Sequence, residues 1–285
     1  MNNTIDYSLI ESISSVEDFL KTNFNCSSNK LKKYFDKAFL NRSFREHSTL
    51  NLPLNFVNDG QINPEYVGPP IEILYEDELF LVMDKPANLF VHPLVYDEKN
   101  NCLSFLRNYK SEVLKVNLKH YDRGLLYRLD FETSGVLVYV KNDFAYQYLR
   151  ENFKKIAKKK TYLCLVEGDC RLLGPYTHYF SSKEVKGKRV VVSDRMASGD
   201  QGELEIISST YHPESNTSLV KVDLKTGLRH QIRAQLAHLG FPLRGDLFYG
   251  GQPAPRLYLH AFQYQLEYQG KDYFFQSDAK DFRNL

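Results

Sequence analysis

The chain has 285 residues, 42% apolar and 25% charged, with a formal net charge of +2, enough for one sizeable domain and a smaller module. It contains no run of about 18 apolar residues that would span a bilayer, and the start MNNTIDYSLIESISS lacks the basic end and apolar stretch of a signal peptide, so no membrane contact and a cytoplasmic location are expected. Cys26, Cys102, Cys164 and Cys170 match neither zinc nor disulfide spacing, and the histidines carry no HExxH pattern, so free thiols and a protein without a metal are expected.

In chain order, Ser15 is placed to cap a helix that opens with the apolar positions Val16, Phe19 and Leu20. A second helix is predicted from Ser28 to Leu40, with Leu31, Phe35, Ala38 and Phe39 on one stripe. Residues 41–70 are rich in Asn, Pro and Gly and read as loops and short strands, which closes a small N-terminal module at residues 1–68. The domain at residues 69–285 begins with strands at 71–74 and 79–83, followed by strands at 125–129 and 135–141 on either side of Asp130. Asp143 is expected to cap a helix over 144–159, with Lys158, Lys159 and Lys160 favourably near its C-terminal end. Strands are then predicted at 161–167, 188–193, 202–209, 217–224, 257–267 and 272–276, with one helix at 230–239 ending at Gly240. Many strands and few helices predict an α+β fold around a mixed, mostly antiparallel sheet. No glycine-rich nucleotide fingerprint and no internal repeat is present.

The near-neutral total hides local charge. Residues 30–45 and 144–160 each carry six Lys or Arg against a single acid, and residues 183–195 carry five against two. Such stripes suit a polyanion such as RNA, and solvated helix faces would give the same counts.

Three segments could carry chemistry. Asp130, in LLYRLDFETSGVLVYVKN, sits between two apolar runs, where a carboxylate either caps the turn or acts in a site. In LKTGLRHQIRAQLAHLG, Arg229 and Arg233 are four residues apart, off the inward stripe of Ile232, Leu236 and Leu239. They could hold phosphate, pair with a buried carboxylate, or lie on an amphipathic surface, while His230 and Gln231 offer hydrogen bonds to a turn or to RNA. In KKTYLCLVEG, Tyr162 follows a basic stretch and could stack on a base or simply fill the core. A carboxylate, an arginine and an aromatic with basic flanks suit a reaction on a nucleobase or sugar of RNA. An activated serine would need a His or Lys base, and hydrolysis of a glycoside would need paired acids, which other carboxylates could still supply by converging in space.

Together these segments resemble the RluA family of RNA pseudouridine synthases. The family's His-Arg-Leu-Asp and Thr-Ser-Gly pieces correspond to Tyr127-Arg128-Leu129-Asp130 and Thr133-Ser134-Gly135. Its Lys-x-Tyr and Val-x-Gly pieces correspond to Lys160, Tyr162, Val166 and Gly168, and its Thr-Gly and His-Gln-Ile-Arg pieces to Thr226, Gly227, His230, Gln231, Ile232 and Arg233. Asp84-Lys85-Pro86, Val91-His92-Pro93, Gly245-Asp246, Tyr249-Gly250 and Leu259-His260-Ala261 are similar to flanking segments, in the same order. Three positions depart from the pattern: Tyr127 stands for histidine, Leu228 for arginine and Tyr264 for leucine. Residues 16–43 faintly resemble the start of an S4-like RNA-binding domain.

The resemblance implies a pseudouridine synthase fold that isomerises uridine in structured RNA without a cofactor. Asp130 would be the catalytic residue, Tyr162 the ring packed on the target base, and Arg233 the partner of the carboxylate. Arg128, Thr133, Lys160, Arg229, His230 and Gln231 would contact the RNA. Ribosomal RNA is the expected substrate and transfer RNA the alternative, acted on by a monomer with no dedicated protein partner. A noncatalytic RNA-binding protein on the same scaffold and a different base- or sugar-modifying enzyme are the rival readings.

Overall fold

A computed structural model describes residues 4–9, 11–24, 26–57, 62–93, 96–117, 120, 122–183, 189–194 and 199–282. Residues 184–188 and 195 of the third basic stretch lie outside the described residues. The chain divides into two compact units, each assembled from separated segments: Met1–Pro70, Leu89–Leu125 and Val140–Tyr146 in the first, and Ile71–Asn88, Leu126–Tyr139 and Gln147–Leu285 in the second.

In the first unit, β1 (Thr4–Ser8) pairs antiparallel with β2 (Thr49–Pro53), and Tyr7 faces Leu50. Helix α1 (Val16–Phe24) starts where sequence places it, with Ser15 Oγ accepting from the Asp18 amide at 3.3 Å. The predicted helix over 28–40 is two short ones, α2 (Ser28–Leu31) and α3 (Lys37–Leu40). Asp36 explains the break: its carboxylate accepts from the Phe39 amide at 2.7 Å and so starts a new helix in place of continuing the old one. Helices α4 (Leu54–Val57) and α5 (Cys102–Lys110) complete this unit. Its core gathers Tyr7, Val16, Phe19, Leu20, Phe24, Leu31, Leu40, Leu50, Leu52 and Phe56, and Tyr7 stacks on Tyr96 with centroids 4.8 Å apart.

The second unit is built on β3 (Glu72–Glu76), β4 (Phe80–Lys85), β5 (Ser134–Val140), β6 (Ala157–Glu167), β7 (Gly174–Lys183), β8 (Arg189–Ser193), β9 (Asp200–His212), β10 (Thr217–Leu224), β11 (Leu259–Tyr268) and β12 (Lys271–Gln276). They form one ten-stranded sheet in the order β3-β4-β5-β11-β6-β10-β9-β7-β8, with β12 also pairing β11. The pairs β3/β4, β6/β10, β6/β11, β7/β8, β7/β9, β9/β10 and β11/β12 are antiparallel, whereas β5 runs parallel to β11. The fold is therefore the expected mixed, mostly antiparallel α+β architecture. Sequence alternation missed β7, whose pattern is interrupted by polar residues.

Two further predicted elements differ. The helix expected over 144–159 is α6 (Asp143–Glu151) and α7 (Phe153–Ile156), and β6 begins at Ala157. Lys159 and Lys160 pair with Gln265 and Tyr264 of β11, so cross-strand pairing has taken these lysines from a helix end into a strand. The strand expected at 125–129 is a turn followed by an extended loop, although the Leu126 amide still donates to the Val138 carbonyl at 3.0 Å.

The order β5-β11-β6 matters most for the site. Ala261 of β11 is flanked by Gly135 on one side and by Tyr162 on the other. Gly135 has φ +114°, and a Cβ there would lie 2.2 Å from the Ala261 carbonyl oxygen, so only glycine allows this approach. One strand thus brings the end of the Asp130 loop beside the strand that carries Tyr162.

Candidate active site

The loop 128–133 links Tyr127 to the start of β5. Its backbone is fixed by a turn in which the Thr133 amide donates to the Asp130 carbonyl at 3.2 Å. A buried lysine, Lys85, anchors the far side by donating to the Phe131 carbonyl at 3.1 Å. The Asp130 side chain is 35% exposed and makes no direct hydrogen bond among the described residues. Its Oδ2 lies 3.9 Å from both Arg233 Nη1 and His230 Nε2. The turn is therefore held by backbone and by Lys85, which leaves the carboxylate oxygens available to a substrate.

Tyr162 lies in the middle of the sheet, opposite Ala261 of β11 and Val222 of β10, and is 8% exposed. Burial, aided by the negative charge of Asp130, pushes its phenol well above the ordinary tyrosine range. A neutral ring beside a carboxylate can stack on a base but cannot serve as a base at neutral pH. Lys160, two residues earlier on the same side of β6, is buried, and its amine donates to the Thr226 carbonyl at 2.9 Å and the Lys225 carbonyl at 3.4 Å. The structure thus places Lys160 beneath the Thr226-Gly227 turn, bonded to protein. Burial pulls its amine down to about 8, against the pull of Asp223 in the other direction.

Helix α8 (Gln231–His238) follows His230, which takes a left-handed φ of +52°. Arg233, 4% exposed, donates from Nε and Nη2 to Asp246 at 2.7 and 2.9 Å and extends Nη1 to 3.5 Å from Glu132. Its face packs over Tyr249, whose hydroxyl meets His230 Nδ1 at 3.1 Å. The His230 imidazole is pulled below its usual range by burial, with Asp130 opposing and the charges of Arg233 and Arg229 reinforcing that shift. Asp246 is buried and sits after Gly245, where φ is +83° and a Cβ would meet the Arg256 carbonyl oxygen at 1.9 Å. Reasoning from residue type did not single out Asp246, Glu132 or Tyr249. For Asp246 and Tyr249 the signal was the Gly-Asp and Tyr-Gly spacing after the helix.

The remaining expected contact residues fall into two sets. Gln231 is buried: its Oε1 accepts from the Thr226 hydroxyl at 2.8 Å and the Leu228 amide at 3.0 Å, and its Nε2 donates to the Glu203 carbonyl and to Gln235 Oε1. Thr133 is buried as well, in the turn. Arg128 and Arg229 are exposed, and Arg229 makes no hydrogen bond or ion pair among the described residues. Leu228, where the motif has arginine, packs against the cluster of Phe180, Ala234 and Tyr249.

His178, Asp194 and His238 place potential ligand atoms within 4.8 Å of one another. The hydrogen-bond chain assigns the protons differently. The Leu228 amide and Glu203 carbonyl fix the orientation of Gln231, and Gln231 and the Gly202 carbonyl fix Gln235, so Gln235 Nε2 donates to His178 Nδ1 at 2.9 Å. His178 then carries its proton on Nε2, facing Asp194 at 3.5 Å, the wrong form for a metal ligand.

A family model described as RNA pseudouridylate synthase matches residues 79–238. The chain is 28% identical over 205 residues to ribosomal large subunit pseudouridine synthase D of Borreliella burgdorferi, covering 70% of this chain and 61% of that protein. It is 31% identical over 186 residues to the protein of the same name from Pseudomonas aeruginosa, covering 64% of this chain and 54% of that one. This chain therefore matches under two thirds of the length of these curated relatives. Among solved structures, human RNA pseudouridylate synthase domain containing 1 is similar in fold, with a TM-score of 0.58 and 23% identity over 73% of this chain and 83% of that one. No helix among the described residues is long and apolar enough to cross a membrane.

Proposed function

Because this chain belongs to the RNA pseudouridylate synthase family, whose model spans residues 79–238, we propose that it isomerises specific uridines of structured RNA to pseudouridine, with Asp130 as the catalytic carboxylate. The observation that carries this reading is the Asp130 side chain itself, half-buried, without a direct hydrogen bond among the described residues and flanked at 3.9 Å by Arg233 and His230. Ribosomal RNA is the favoured substrate because the similar proteins from B. burgdorferi and P. aeruginosa are named for the large ribosomal subunit. A cytoplasmic location would fit that substrate. Residues 1–68 would act as an RNA-binding module, a role supported by the exposed Lys32, Lys33, Lys37, Arg42 and Arg45.

In the reaction the N1–C1′ bond of uridine breaks, the base turns, and C5 joins C1′. The C5 proton leaves and N1 gains one, so mass and RNA length are unchanged. The target first leaves its stack, a cost of a few kcal/mol offset by contacts in the pocket. Asp130 acts either on the ribose, at C1′ or through the C2′ proton, or on C6 of uracil, and both routes need an ionised, unencumbered carboxylate. Arg233 supplies positive charge on its flank, and the neutral Tyr162 ring stacks on uracil. Apolar strand residues around them keep out water that would trap a ribosyl intermediate.

The test is to map pseudouridines in RNA from cells lacking the protein, complemented with wild type or with Asp130→Asn. One or a few sites restored only by wild type would support this assignment and name the RNA, ribosomal or transfer. An unchanged map under conditions of expression would refute it in favour of a noncatalytic RNA-binding role.

A further inference from the structure

Two residues that stand out in the sequence motifs meet in the structure. Tyr127 and Tyr264 stack face to face, with ring centroids 4.3 Å apart and planes 10° apart. Tyr264 is buried and Tyr127 half-buried, and Phe153 closes the group at 6.1 Å from Tyr127 and 6.4 Å from Tyr264. The backbone explains how they come together. In β11 the register passes from Ala261 opposite Tyr162 to Gln263 opposite Thr161, so Phe262 is an extra residue. That bulge carries Tyr264 to the position opposite Lys160, on the same side of the sheet as Tyr162. Tyr127 is held at the other end: its hydroxyl donates to the Val136 carbonyl at 2.9 Å, tying the start of the Asp130 loop to the strand that follows it.

We propose that Tyr127 and Tyr264 form a positioning pair that sets the separation between the Asp130 carboxylate and the Tyr162 ring. Tyr127 is the root of the loop bearing Asp130, and Tyr264 lies on the strand directly paired with the one bearing Tyr162. A rigid ring-on-ring contact between them fixes loop against strand. Neither ring touches the reacting atoms. Their effect is transmitted through three residues of loop on one side and one strand pairing on the other. Because reactive geometry tolerates little displacement, loosening this contact should slow the chemical step while leaving RNA contacts in place. The proposal rests on Asp130 and Tyr162 being the reacting carboxylate and the stacking ring.

The test uses the full chain and total RNA labelled with tritium at uracil C5, taken from cells lacking the protein. Tritium release reports loss of the C5 proton. Tyr264→Leu is expected to lower kcat by about 10- to 100-fold with KM within about threefold, measured well below the thermal midpoint of the variant. Tyr264→Phe, which keeps the ring, is expected to recover most of that loss. Tyr127→Leu should lower kcat similarly, and the double leucine variant should be little worse than either single one, because the pair acts as a unit. Should the leucine variants not fold, Tyr264→Met fills a similar volume without a ring and carries the same expectation. The proposal is overturned if kcat stays at the wild-type value once folded fraction is corrected, or if Phe and Leu at 264 are equally slow. If Asp130→Asn releases tritium like wild type, or wild type releases none, the reading of the site fails first and the positioning role with it.

Discussion

Arg233 is bound far more closely to Asp246 than to Asp130. It spends Nε and Nη2 on a bidentate pair with Asp246 at 2.7 and 2.9 Å, and Nη1 faces Asp130 at 3.9 Å. Both members of the pair are buried. Burial works against the arginine charge, and the hydrogen bonds and charge of Asp246 outweigh it, so the guanidinium is held above its usual range. Asp246 thus offsets the cost of burying the arginine and aims it. Asp130 feels its charge without being locked by it.

Asp246→Ala should therefore destabilise the protein by about 3–5 kcal/mol, since it leaves a buried guanidinium without its partner. Asp246→Asn keeps one acceptor and should cost less, while still slowing turnover by about tenfold or more as Arg233 reorients. Urea unfolding and tritium release measure the two effects. Wild-type stability in the alanine variant would mean that Glu132 and the Tyr249 ring suffice to hold Arg233.

His260 gives the fold an acid-sensitive point. Ser277 donates to Asp84 at 2.6 Å and so accepts from His260 Nε2 at 2.9 Å, which leaves Nδ1 to accept from Ser134 at 2.7 Å. This arrangement suits the neutral ring, since protonating Nδ1 would force the Ser134 hydroxyl to turn to the more distant Leu259 carbonyl at 3.5 Å. Burial, reinforced by the Arg256 charge, pulls its pKa down to about 4. Between about 4 and the unfolded value near 6.5, the unfolded chain binds a proton that the folded chain does not, so stability rises with pH. Descending from pH 7 to 4 should cost about 3 kcal/mol at this group. His260→Asn should remove most of that slope, and an unchanged acid limb would assign it to other groups.

Lys160 acts in an alkaline window with the same sign. Its folded value of about 8 lies below the ordinary 10.5, so the unfolded chain again holds more protons between the two. Stability should rise with pH across that window, because the penalty for burying a charged amine is fully present below about 8 and relieved above it. Lys160→Met should flatten the thermal midpoint between pH 8 and 10. It should also slow turnover, since the amine secures the Thr226 carbonyl beside the Arg229–Arg233 segment. A variant with the slope of wild type would place the amine in solvent.

The strands and the three chemical segments were legible because alternation and motif spacing are local properties. Asp130 announced itself as a charge between apolar runs, and Tyr162 and Arg233 by their place in spaced motifs. What local pattern could not reveal was the identity of partners. Asp246 is thirteen residues from Arg233 and joins it only through the turn that Gly245 permits. Lys160 read as a residue near a helix C-terminal end because nothing local signals that β6 starts at Ala157, which pairing with Leu266 decides. Gln231 read as a hydrogen-bonding residue for a turn or for RNA, and its amide is taken up by Thr226, Leu228, Glu203 and Gln235. The two tyrosines at 127 and 264 are 137 positions apart, and only the parallel β5–β11 pairing and the bulge at Phe262 unite them.

Arg229 separates RNA contact from structure. It is exposed, has no bonded partner among the described residues, and lies one residue before His230 at the mouth of the site. Replacing it should change stability by no more than about 0.5 kcal/mol. Neutralising one phosphate contact should also make the plot of log affinity against log salt shallower by about 0.7–0.9. Arg229→Ala and wild type should therefore differ most in RNA binding at low salt and converge as salt rises, with similar kcat on saturating RNA. Equal salt slopes in a filter-binding titration would show that the phosphate backbone passes elsewhere. A fall in kcat without a change in slope would instead make Arg229 part of the electrostatics around Asp130 and His230, where its charge already bears on the imidazole.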